Sequence, residues 1–77
     1  MPTVLITGAG RGLGLELVRQ CAADGWNVLG TVRNEVSRKA LQALGARAFL
    51  LDVTDFNAVR KLGEQLRGEA IDVLICN

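Results

Sequence analysis

Two hydrophobic rhythms alternate along the 77 residues of this chain. Thr3-Val-Leu-Ile-Thr7, Asn27 to Val32, Arg47-Ala-Phe-Leu-Leu51 and Asp72-Val-Leu-Ile-Cys76 are apolar or β-branched runs of strand length. They are nearly continuous rather than alternating, which predicts parallel strands covered on both faces. Between them the apolar positions spread to helical spacing. Leu13, Leu17, Val18 and Cys21 predict a first helix that stops at Asp24-Gly25, where glycine suits a left-handed cap. A second helix, Glu35 to Leu44, packs Val36, Ala40, Leu41 and Leu44 and ends at Gly45. A third starts after Thr54 as N-cap with Asp55 in its first turn, and turns Phe56, Val59, Leu62 and Leu66 inward before Gly68.

The resulting order, βαβαβαβ, calls for an α/β fold with a parallel sheet and right-handed crossovers. No linker, repeat or low-complexity stretch divides it, so residues 1–77 read as one segment. A chain this short buries only roughly 60% of its unfolded surface, and a fragment of a larger domain is a natural expectation.

Composition narrows the function classes. Apolar residues make up 49% and charged residues 22%, which argues against disorder. Nine basic and eight acidic residues, interspersed, give a net charge of +1 and no nucleic-acid or polybasic membrane signal. The N-terminus has no charged leader, and Val4 to Ile6 is far too short to span a membrane, so the expected location is cytoplasmic. Cys21 and Cys76 are isolated and no His is present, so neither a metal site nor a disulfide framework is indicated. Both thiols read as small core hydrophobes.

Chemistry concentrates in Thr7-Gly-Ala-Gly-Arg-Gly-Leu-Gly14, between the first strand and the first helix. There a parallel sheet presents backbone N–H groups and the positive end of a helix dipole to an anion. Side chains at these positions would hold a pyrophosphate off the backbone and keep the helix off the strand; glycine removes both obstacles. The literal GxGxxG fingerprint fails because Leu13 or Leu15 falls on a glycine position, and no Gly-Lys-Ser/Thr follows to make a Walker loop. The pattern that fits is TGxxxGxG, as Thr7-Gly8, Gly12 and Gly14.

With that loop, the chain resembles the short-chain dehydrogenase/reductase family over its whole length. Leu51-Asp52-Val53-Thr54 looks like the family's "DV" after the third strand, where the Asp side chain and the next backbone N–H meet adenine. Asp72-Val-Leu-Ile-Cys76-Asn77 looks like the strand entering the NNAG motif, with Cys76 in place of the first Asn. The opening stretch and Gly30-Thr-Val-Arg-Asn34 most resemble the small carbonyl-reductase branch that includes the C-factor proteins. The resemblance implies a Rossmann-type doubly wound sheet of order 3-2-1-4, incomplete relative to the family. The first two helices would lie on one face and the third alone on the other. Competing readings exist for single residues: Asp52 as a turn cap, Arg11 and Arg33 as solvated charges, Asn77 as an ordinary chain end.

Charge favours one cofactor. An acid at the end of the second strand selects NAD by repelling a 2′-phosphate; here Val32 stands there, followed by Arg33. Arg11 in the glycine loop approaches the same place, so two forked guanidiniums favour NADP(H) over NAD, with Glu35 the one nearby acid. The expected cofactor-binding residues are Gly8, Gly10, Arg11, Gly12, Leu13, Arg33, Asp52, Val53 and Asn77. The family's catalytic Tyr and its Lys have no counterpart, since the chain contains no Tyr, and Lys39 and Lys61 fall in helical patterns. A carbonyl or alcohol substrate is therefore expected to meet a part beyond this segment. The alternative is a minimal nucleotide-binding module without turnover. The resemblance implies further strands that pair with the fourth, so the bare edge at Val73 to Ile75 predicts that the isolated segment self-associates or stays loosely packed, binds NADPH weakly if at all and shows no turnover; a homo-oligomer is expected of the whole protein.

Overall fold

A computed structural model describes all residues from Met1 to Asn77. Strands β1 (Thr3–Ile6), β2 (Asn27–Val32), β3 (Arg47–Leu50) and β4 (Val73–Ile75) alternate with helices α1 (Gly12–Ala23), α2 (Glu35–Ala43) and α3 (Phe56–Gln65). All pairings are parallel and the strand order is β3-β2-β1-β4, the order expected of a Rossmann-type sheet. The register sets Ile6 against both Gly30 and Ile75, so β1 and β4 end level while β2 runs two residues further, to Val32.

The period of two along each strand divides the molecule. Val4, Ile6, Val28 and Val32 point to one face, where Val18 of α1 and Leu41 of α2 close over them together with Ala9 and Ala46. Full burial of such a side chain contributes about 1.5–3 kcal/mol, so this layer holds the fold together. Gly30 makes it possible, because a Cβ there would stand 2.6 Å from Leu41 Cδ2.

The opposite face departs from the expectation of strands covered on both sides. Helix α3 buries none of its residues fully. Leu5 of β1 and Leu51, just past β3, with Phe56, Val59, Leu62 and Leu66, instead line an open apolar cleft of about 400 Å³. Phe56 is 82% exposed and Leu74, on the edge strand β4, is 58% exposed.

Other local corrections follow from geometry. The cap of α3 is Asp55, whose side chain accepts from the N–H groups of Asn57 and Ala58, whereas Thr54 donates its N–H and O–H to Asp52. Leu13 lies at the exposed first turn of α1, and Val36 and Ala40 lie on the outer side of α2, so none of these is core. Cys21 is half-buried against the closed layer, but Cys76 is exposed beyond the end of β4.

Candidate functional site

The chain leaves β1 at Thr7, whose N–H still bonds to Ile75 O at 3.0 Å, and then turns sharply at Gly8 with φ +61°. Gly12, at the entry to α1, also has φ +60°. Side chains strain such left-handed positions, which accounts for glycine at both. Gly14 answers a different need. A Cβ there would lie 2.3 Å from Gly8 O and 2.7 Å from Asn77 Nδ2, so α1 can approach the loop only with hydrogen at that position. At Gly10 a Cβ would meet Ser37 Oγ at 2.8 Å.

The three helix N-termini differ. Asn34 caps α2 through Ser37 N–H, and Asp55 caps α3. Arg11, the N-cap of α1, makes no side-chain cap bond, and the first turn of α1 holds no acid. The backbone N–H groups of Gly10, Arg11, Gly12, Leu13 and Gly14 all lack a protein acceptor. A helix end with free donors and no carboxylate carries the positive potential that suits an anion.

These groups border a cleft of about 620 Å³ between the loop and the end of β2. Its lining includes Gly8, Gly10, Arg11, Gly12 and Leu13 of the loop, Arg33 after β2, and Asn77; no Asp or Glu lines it. Neither Arg11 nor Arg33 forms an ion pair within the chain. Glu35, the one acid near Arg33 in sequence, is held by Arg38 at 2.6 Å. Free donors, space that a Cβ would fill, and two unpaired guanidiniums fit a phosphate-bearing ligand.

Asn77 reaches back to the loop twice: its N–H donates to Thr7 Oγ1 at 3.1 Å and its Nδ2 donates to Gly8 O at 3.0 Å. Asp52 and Val53 do not line the cleft of the glycine loop. Asp52 Oδ1 accepts from Thr54 N at 2.9 Å and Thr54 Oγ1 at 2.7 Å, a turn geometry that matches the competing cap reading. Those bonds hold its carboxyl below the usual carboxylate range against an opposing desolvation, with the nearby Arg33 charge the smallest contribution. Val53 borders the open apolar cleft, and its N–H has no protein acceptor.

Sequence reasoning passed over Asn34 and Ser37, which also line the loop cleft, and Thr31, whose hydroxyl accepts the Gly8 N–H at 3.2 Å. Asn34 carried a signal, since Asn just before a helical run is a favoured N-cap, while Ser37 offers it only a backbone N–H. Thr31 carried none, because its partner is 23 residues away.

The chain is similar in sequence and in structure to known proteins. "Short chain dehydrogenase virK" of Hypocrea virens is 39% identical over 87 aligned residues, covering all of this chain and 32% of that protein. A "Probable NADP-dependent dehydrogenase" of Dichelobacter nodosus is 42% identical, with 96% of this chain and 74% of that protein covered. A chain from Burkholderia multivorans, assigned as a short-chain dehydrogenase/reductase and solved with bound NADP, superposes with a TM-score of 0.86 at 38% identity. That likeness covers 99% of this chain and 36% of the other. The chain thus spans about a third of the length of the virK relative and of the NADP-bound structure. Residues 2–77 match the short chain dehydrogenase family, and the chain belongs to that family.

Proposed function

We propose that residues 1–77 are the cofactor-binding segment of an NADP(H)-dependent short-chain dehydrogenase/reductase acting on a carbonyl or alcohol. The observation that carries this reading is the carboxylate-free cleft lined by the glycine loop, whose N–H groups from Gly10 to Gly14 are free, together with Arg11 and Arg33. In it, the N–H groups at the start of α1 hold the pyrophosphate, beside Gly8 and under cover of Leu13. Arg11 and Arg33 take the 2′-phosphate, for which a forked, permanently charged donor is suited. Asp52 and the free N–H of Val53 meet the adenine, and Asn77 fixes Gly8 next to the ribose. The NADP-bound neighbour and the relative named as NADP-dependent support the choice of NADP(H) over NAD.

Bound NADP(H) supplies the hydride exchanged with the substrate carbon. The residues of this chain bind and orient the dinucleotide; none is a Tyr, so the proton exchanged with the substrate oxygen is assigned to residues outside these 77. The substrate pocket is assigned there as well. Homo-oligomerisation of the whole protein is part of the same proposal, on the family resemblance alone. A cytoplasmic site of action is proposed on the sequence reading alone; no helix is long and apolar enough to cross a membrane.

Calorimetric titration of the full-length protein that contains this segment, with NADPH and with NADH, tests the reading. NADPH is expected to bind at least about tenfold more tightly, the size of one charge-assisted contact, and Arg33→Asp is expected to reverse the order. Equal affinities in the unaltered protein, or an unchanged preference in the variant, would contradict it.

A further inference from the structure

The glycine loop has to be aimed as well as emptied of side chains, and the residue that aims it lies on a different strand. Gly8 N–H faces β2, where the expected ladder partner would be a backbone carbonyl. Its acceptor is instead the Thr31 hydroxyl, at 3.2 Å, while the Thr31 carbonyl takes the next N–H, that of Ala9, at 2.8 Å. One residue thus receives both N–H groups by which the loop leaves the sheet. Thr31 is only 3% exposed, so water has little access to replace its oxygen. On the other side of Gly8, Asn77 Nδ2 holds the Gly8 carbonyl at 3.0 Å, and the peptide groups flanking the left-handed turn are fixed from β2 and from the end of β4 together.

We propose that Thr31 is a positioning residue for the dinucleotide cradle, its hydroxyl holding the turn at Gly8 that directs the free N–H groups of Gly10 to Gly14 into the cleft. Resting on the cofactor reading above, the assignment adds a link within the site. Thr31 stands two residues before Arg33 on the same strand end, so it ties the pyrophosphate side of the cleft to the side that carries the guanidinium. A backbone carbonyl alone would not do this, because the side chain at position 31 reaches one residue further back along the loop than the ladder does.

Thr31→Val keeps the β-branched shape and the strand preference but removes the acceptor, leaving the Gly8 N–H without its protein partner. Thr31→Ser keeps the oxygen and loses a methyl group. The expected result is a Kd for NADPH weakened roughly tenfold in Thr31→Val and changed by less than about threefold in Thr31→Ser. Urea unfolding, measured alongside, ensures that each Kd is compared on folded chains. Amide hydrogen exchange of the unaltered chain gives a second reading that needs neither variant nor cofactor. The Gly8 amide is expected to be protected like that of Ala9, with the amides of Gly10 and Gly12 exchanging much faster. Wild-type affinity in folded Thr31→Val, equal losses in the Val and Ser variants, or a Gly8 amide that exchanges as fast as Gly10 would each overturn the assignment. Failure of the unaltered full-length protein to bind NADPH would contradict the proposed function instead, and the exchange of Gly8 would then decide the role of Thr31 alone.

Discussion

On one face of the sheet, α1 and α2 press Val18 and Leu41 onto Val4, Ile6, Val28 and Val32, and every one of these side chains is shut from solvent. On the other, α3 stands over Leu5 and Leu51 without burying any residue of its own, and an apolar cleft of about 400 Å³ stays open. Both helices of the closed face and the helix of the open face have apolar stripes of similar spacing in sequence. What separates them is small residues: Gly30 and Ala9 let α2 approach the sheet, and Gly14 lets α1 approach the loop. The lesson is that close packing and the candidate site share one cause. The same missing side chains that close the first face leave backbone donors accessible at its rim.

The largest effect that separates the two regions is expected at the seam between α1 and the loop. Gly14→Ala places a Cβ 2.3 Å from Gly8 O, a backbone atom that cannot swing aside. It is expected to cost about 3 kcal/mol or more and to abolish NADPH binding, read by urea unfolding and titration.

Core truncation comes next. Leu41→Ala on the closed face is expected to cost about 2–5 kcal/mol, whereas Phe56→Ser on the open face should stay within about 0.5 kcal/mol. Comparable losses for the two would erase the distinction between the faces. Gly63, inside α3, has nothing within 4 Å of where a Cβ would stand. Gly63→Ala is therefore expected to stabilise the chain by up to about 1 kcal/mol through helix propensity, a gain visible as a higher urea midpoint. A loss there would mean that α3 packs more closely than its exposure indicates.

Much of this contrast was legible before any coordinates. Strand runs and helical spacing located all seven elements, because an apolar run bounded by Gly or Asp leaves few alternatives at these lengths. The glycines at 8, 12 and 14 marked the loop, since three separate steric demands fall within seven residues. Faces were less legible than elements. Leu13 and Val36 continue the apolar spacing of their helices, yet Leu13 is 68% exposed beside the loop cleft, and periodicity alone does not say where a stripe runs out. Thr54 and Asp55 are adjacent capping residues, and the choice between them was made by Asp52, which draws both Thr54 donors to itself. Thr31 was invisible because its bond to Gly8 depends on the β1–β2 register, which pairs Ile6 with Gly30.

The smallest expected effect concerns pH. The folded state lowers the Asp52 pKa, chiefly through Thr54, so the stabilisation is present above the ordinary carboxylate pKa of 3.8 and is lost as pH falls through the lower folded value. Asp52→Ala should accordingly be less stable than the unaltered chain at neutral pH, with the gap closing below that range. A gap that widens on acidification would contradict the assigned cause.

The central claim is that the phosphates of the dinucleotide bind at the rim of the closed face and not in the apolar cleft of the open one. Amide chemical-shift mapping during an NADPH titration of the 15N-labelled chain tests it most directly. The account predicts large shifts at Gly10, Arg11, Gly12, Leu13 and Gly14, with the side chains of Arg11 and Arg33 following, and little change at Val59, Leu62 and Leu66. Shifts centred on α3 and the open cleft, with the glycine-loop amides unmoved at saturation, would contradict it.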